Sequence, residues 1–138
     1  MKLVQPIHVK DLAEKFSLKI IGEENQMVYG INEIHKVTAG DLTFVDAEKY
    51  YAKSINSAAT IILINKETDC PPGKTLLVCD QPFEVYNQLV TSIRPEQVLT
   101  TNYAHTANIH PTAIIEPGVI IGHHVVIGEG SYIQANAY

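Results

Sequence analysis

Residues 109 to 138 divide without remainder into five six-residue blocks, IHPTAI, IEPGVI, IGHHVV, IGEGSY and IQANAY. Each block opens with isoleucine: Ile109, Ile115, Ile121, Ile127 and Ile133. The fifth position is small or β-branched throughout, as Ala113, Val119, Val125, Ser131 and Ala137. The fourth is Thr112, Gly118, His124, Gly130 or Asn136, and Gly and Asn accept the left-handed backbone that a tight corner requires. A six-residue period matches neither the α-helix nor a heptad coil. It matches a parallel β-helix, in which short strands are joined by tight turns. With three blocks per turn, the inward isoleucines stack as Ile109 under Ile127 and Ile115 under Ile133. Five blocks fill fewer than two such turns, whereas solenoids generally need about three or more repeats and capped ends. The expectation is a fragment of a longer protein, or an assembly that covers the open end.

The preceding part of the chain has a different character. All ten Lys and Arg residues lie at or before Arg94, and four of the six histidines lie after it. Residues 95 to 108 are polar and lack a clear period, so they read as a linker between residues 1–94 and the repeat at 109–138. Before the linker the pattern is mixed. Val9, Leu12, Ala13 and Phe16 recur at helical spacing, while Lys19–Gly22, Met27–Ile31, Leu42–Val45, Thr60–Ile64 and Thr75–Val78 read as strands. Tyr50 to Asn56 suits a short helix. Pro82 opens another that runs to Ile93, with Phe83, Tyr86, Val90 and Ile93 as its apolar face. Strands alternating with helices predict a small α/β domain with a mixed sheet.

Several function classes have little support. A net charge of −5 argues against a basic nucleic-acid surface. Cys70 and Cys79 are nine positions apart, a spacing of no zinc or redox motif, and read as free thiols. The start MKLVQPIHVKDLAEKF has no long apolar core of a signal peptide. The longest aliphatic run, Ile61 to Ile64, is far below the roughly 20 residues of a membrane helix. A cytoplasmic protein without a membrane span is the expectation. His105, His110, His123 and His124 fall at outward or corner positions of the repeat, with no carboxylate or Cys partner to complete a metal site. His35 and Asp41 read as a surface pair. Pro72-Gly73-Lys74-Thr75 imitates the end of a phosphate loop, but Thr68 stands where its first Gly is needed and a strand follows.

The stretch GDLTFVDAEKYY, Gly40 to Tyr51, places Phe44 and then Tyr50 and Tyr51 around a polar turn. Two aromatic faces held a few residues apart can sandwich a flat base, although core packing of the same residues is the simpler physical reading. GDLTF with Tyr50 six residues after Phe44, the DQPF opening of a helix and a C-terminal run of hexads occur together in this order. The combination resembles the UDP-3-O-(3-hydroxyacyl)glucosamine N-acyltransferases of lipid A biosynthesis, within the hexapeptide-repeat family.

That resemblance covers nearly the whole chain and carries specific implications. The repeat would be the first coils of a left-handed β-helix. The N-terminal domain would recognise the uridine part of the acceptor, with Phe44 and Tyr50 holding the uracil. The family usually has Asn three residues after the Phe. Here that position is Ala47, and Asp46 or a backbone amide is the neighbouring group offered in its place. The reaction moves a 3-hydroxyacyl chain from acyl carrier protein to the 2-amino group of UDP-3-O-acyl-glucosamine, using a histidine as general base and no cofactor. That histidine would lie on later coils, so this chain alone would be inactive, and the full-length protein would be a homotrimer. Two other readings remain open: a noncatalytic binding or scaffold module oligomerised by the coil, and another hexapeptide enzyme, such as a sugar O-acetyltransferase or a zinc-dependent carbonic-anhydrase-like protein.

Overall fold

The computed structural model describes all residues, Met1–Tyr138, which form two units, Met1–Pro95 and Glu96–Tyr138. In the first unit the elements run β1 (Lys2–His8), α1 (Val9–Phe16), β2 (Lys19–Gly22), β3 (Met27–Ile31), β4 (Asp41–Val45), a 3-10 turn (Glu48–Tyr50), α2 (Tyr51–Ile55), β5 (Ile61–Ile64), β6 (Thr75–Val78) and α3 (Pro82–Ile93). Six strands make one sheet in the order β1-β3-β4-β5-β6-β2. The inner four are parallel, and β1 and β2 close the two edges in antiparallel sense.

Alternation along the strands sorts the core into two layers, because successive side chains leave a strand on opposite faces. Leu42, Ile61, Leu63 and Leu77 pack on one face with Val9 and Leu12 of α1 and Leu89 of α3. Val45, Ile62, Ile64 and Leu76 pack on the other, joined by Tyr51 and Ile55 of α2. All four β5 residues are buried, as a strand covered on both faces must be. Helix α1 begins where the His8 ring accepts a hydrogen bond from Lys10 N at 3.1 Å, and stops at Ser17 in the left-handed conformation.

Two features of this unit differ from the sequence reading. Strand β1 carries no alternation that announces it. It is an edge strand with a fully exposed Val4 and with Pro6, whose missing N–H an edge tolerates. Helix α3 buries Pro82 and Leu89, with Val85, Tyr86 and Val90 partly covered, whereas Phe83 and Ile93 are exposed. The true stripe runs through Val85 and Leu89 and is rotated from the predicted one.

The second unit is a parallel coil. Its strands β7 (Asn108–Ile109), β8 (Ile114–Ile115), β9 (Val126–Ile127) and β10 (Tyr132–Ile133) pair as β7 with β9 and β8 with β10. Ile109 lies beside Ile127 and Ile115 beside Ile133, so one turn takes three blocks, as the repeat requires. Corners are closed by bonds from a fifth-position N–H to a second-position carbonyl, as in Ala113 to His110 and Ala137 to Gln134, both within 3.3 Å. The fourth position is then the third residue of a β-turn, where type II geometry demands positive φ. Gly118, His124, Gly130 and Asn136 all have it, at 77°, 60°, 67° and 61°. Thr112 does not. Its Oγ1 instead accepts a bond from Gly130 N, 3.0 Å away, and Thr106 Oγ1 accepts one from His124 N at 3.1 Å.

The coil begins earlier than the five blocks. Tyr103 bridges Ile121, Ala104 N donates to Ile121 O at 2.9 Å, and Ala104 is buried. Residues 103–108, YAHTAN, form a further block with Tyr in place of the leading Ile. The linker expected over 95–108 is therefore shorter, and its last six residues belong to the repeat.

Candidate functional site

The parallel strands β3 and β4 run side by side, and the carboxyl end of such strands is where α/β sheets usually place ligands. At the end of β4 the chain leaves the sheet through Asp46 and Ala47, enters the 3-10 turn and continues into α2. A cavity of about 350 Å³ opens there, lined by Ile34, Phe44, Val45, Asp46, Tyr50, Lys53 and Ser54. The structure thus brings Phe44, Asp46 and Tyr50 to one site. Ala47 is not among the lining residues. Its carbonyl accepts a bond from Tyr50 N at 2.9 Å and closes the turn.

The two aromatic residues are held differently. Phe44 points to the α3 side of the sheet, half-buried, with ring centroids 4.7 Å from Tyr86 and 5.4 Å from Phe83. Burial, followed by the charge of Glu33, pushes the Tyr86 hydroxyl above its usual range, so it stays neutral. Tyr50 is 49% exposed, and the Lys49 ammonium sits 4.8 Å from its ring centroid, a cation–π contact. Phe44 is therefore a fixed wall of the cavity and Tyr50 a more open one. Lys53 adds an ammonium and Asp46 a carboxylate to the lining.

The segment that carries Tyr50 is tied at both ends. At one end Asn65, just past β5, donates from Nδ2 to Asp46 O at 2.9 Å and accepts from the Tyr51 hydroxyl. At the other, Lys74 Nζ donates to Ile55 O at 2.5 Å and Ser57 O at 2.6 Å, satisfying carbonyls at the end of α2. Burial pulls the Lys74 pKa below its usual value. The lysine of the phosphate-loop look-alike thus serves as a helix-end cap. Of the lining, Ile34, Lys53 and Ser54 escaped the sequence reading. Lys53 had a faint signal, standing three residues after Tyr50 and so on the same side of a helical turn.

The remaining titratable candidates are elsewhere. His35 Nδ1 lies 3.5 Å from Glu33 Oε2 at the surface, as expected, whereas Asp41, also expected at the surface, is buried among Lys2, Asn32 and Thr38. In the coil, His105 and His123 occupy equivalent positions in successive turns, with ring centroids 5.4 Å apart. His123 Nδ1 hydrogen-bonds Thr106 Oγ1 at 3.0 Å, and His124 takes a corner. No group of three or more His, Cys, Asp or Glu side chains could hold a metal. A larger groove of about 720 Å³ lies along β1, between Leu3, Pro6 and Arg94, but no aromatic ring lines it.

Comparison with known proteins places these features in order of breadth. In the coil, residues 106–138 match the bacterial transferase hexapeptide family of six repeats. Residues 25–91, which contain the cavity's whole lining, match the family of UDP-3-O-(3-hydroxymyristoyl) glucosamine N-acyltransferase. Among curated relatives, the UDP-3-O-acylglucosamine N-acyltransferase of Syntrophotalea carbinolica is 26% identical over 64% of this chain and 26% of its own length. That of Syntrophus aciditrophicus is 26% identical over 64% of this chain and 25% of its own. That of Nitrosococcus oceani is 27% identical over 61% of this chain and 24% of its own. Residues 25–91 are thus similar to this acyltransferase family, and hexapeptide repeats follow them. The matched segment spans about a quarter of the length of these relatives.

Proposed function

We propose that the first unit binds the uridine end of a sugar nucleotide in the cavity between Phe44 and Tyr50, as the acceptor-recognition part of an N-acyltransferase. The observation that carries this reading is the convergence of both aromatic residues on one cavity within the segment that matches the family. A uracil is flat and apolar on its faces, and each aromatic contact with a base is worth about 1–3 kcal/mol. Its N3–H needs an acceptor. With Ala47 lacking a polar side chain, the Asp46 carboxylate is the anionic lining group that can accept it. Lys53 then offers its ammonium to the diphosphate.

In this reading the acceptor is UDP-3-O-acyl-glucosamine, and its 2-amino group receives a 3-hydroxyacyl chain from acyl carrier protein. A general base takes the proton released by the attacking amine. None of this chain's histidines is assigned that role. The parallel coil is left-handed, and the assembled enzyme is a homotrimer.

Calorimetric titration with UDP-N-acetylglucosamine tests the binding step. The expected outcome is saturable binding that Tyr50→Ala weakens about tenfold or more, the range of one lost stacking contact. Phe44→Leu, which keeps apolar volume against Tyr86, weakens it while preserving the fold. Unchanged affinity in both variants would remove the cavity from the account.

A further inference from the structure

A binding wall must be held in place, and Tyr50 has little local means of staying put. It ends a three-residue 3-10 turn that has no side-chain cap at its N-terminus, and α2, which follows, is only five residues long and has none at its own N-terminus. Helical segments this short are not stable on their own. Phe44, by contrast, is fixed by pairing of β4 with β5 and by the aromatic residues of α3. The geometry of the site therefore depends on what fastens the segment Asp46–Tyr51 to the sheet.

Three side-chain bonds reach that segment from the end of β5. Lys66 Nζ lies 3.2 Å from Glu48 Oε2, but both side chains are largely exposed, and such pairs contribute little. The other two come from Asn65, and they use both halves of its amide. Nδ2 donates to the Asp46 carbonyl on one side of Tyr50, and Oδ1 accepts from the Tyr51 hydroxyl on the other. Asn65 is itself anchored, because it directly follows Ile64 in a strand whose every residue is buried. One donor and one acceptor on a rigid planar group, bonded on both sides of the residue between them, fix position rather than mere proximity.

We infer that Asn65 is a positioning residue for the uridine site: its side-chain amide clamps Asp46 and Tyr51 and so holds Tyr50 at the cavity that Phe44 walls. This rests on the proposed uridine reading, and it adds a residue outside the cavity lining on which affinity depends. Aspartate at this position could still accept from Tyr51 but could not donate to Asp46 O. Phenylalanine at position 51 removes only the hydroxyl bond.

The test is UDP titration of the whole chain and of the variants Asn65→Ala, Asn65→Asp, Tyr51→Phe and the Asn65→Ala/Tyr51→Phe pair, with amide hydrogen exchange on the ligand-free proteins. UDP affinity is expected to fall about tenfold in Asn65→Ala and several-fold in Asn65→Asp and Tyr51→Phe. The double variant should bind no worse than Asn65→Ala, because both changes cut one clamp. Without ligand, the Tyr50 amide should exchange about tenfold faster in Asn65→Ala, while β5 amides keep their rates. If the parent chain binds UDP and Asn65→Ala binds equally well, the clamp is refuted and the uridine reading stands. Equal acceleration across β5 would refute it too, by showing general loosening of the sheet. If the parent chain does not bind UDP, the uridine reading itself falls and the inference falls with it.

Discussion

Asp41 is a carboxylate with no exposed surface, met by four donors. Lys2 Nζ, Asn32 Nδ2 and Thr38 N each lie 2.8 Å from it, and Thr38 Oγ1 lies 3.0 Å away. Burial alone would raise its pKa, but the bonds from Lys2, Thr38 and Asn32 together outweigh burial and lower it from 3.8 to about 2. A depressed carboxylate stabilises the fold fully above its unfolded pKa and loses that contribution as pH falls through the folded value. The shift corresponds to about 2 kcal/mol, present at neutral pH and lost between about pH 4 and pH 2. Urea unfolding should show the parent chain losing that much more stability than Asp41→Asn over this interval, and equal losses would contradict the network. At this scale the sequence was partly readable. Phe44 and Tyr50 stood out because their spacing is local, whereas Asn65 acts through partners 14 and 19 residues away and Asp41 takes its only cation, Lys2, from 39 residues away, separations that no window of sequence contains.

The hexads explain why the coil was the most legible element. Every corner repeats one local requirement, so five blocks state it five times. The block 103–108 was missed because Tyr103 replaces the leading Ile, although Thr106 and Ala107 keep the fourth and fifth positions in pattern. Corner glycines are not equivalent, however. A Cβ on Gly130 would meet nothing within 4 Å, while one on Gly118 would come within 2.3 Å of Asn136 Oδ1 in the next turn. Gly130→Ala should therefore cost only the left-handed strain, about 1–2 kcal/mol. Gly118→Ala should cost more in thermal or urea unfolding, and in an Asn136→Gly background its excess should vanish. An equal cost for both in the parent chain would contradict this corner packing. In the first unit the strands were legible by their β-branched runs. The face of α3 was not, since Phe83 and Leu89 are equally apolar and only the sheet decides which is covered.

At the scale of the molecule, the sequence announced two architectures through charge as well as period. The first unit holds every Lys and Arg, including the Lys53 of the cavity, and the second holds none. No helix is long and apolar enough to cross a membrane. Strand order was beyond local reasoning. Strand β2 lies between β1 and β3 in sequence yet pairs with β6 at the far edge of the sheet, a choice made by nonlocal pairing. The cavity lies at the end of β4, which pairs with β3 and β5 in the interior of that sheet. The central claim is that this cavity takes the uridine end of a nucleotide, and amide chemical-shift mapping tests it most directly. On adding UDP, the largest shifts should fall on Ile34, Phe44, Asp46, Tyr50 and Lys53, with uridine giving the same pattern apart from a weaker response at Lys53. Shifts confined to the groove along β1 or to the coil, or none at millimolar UDP, would contradict it.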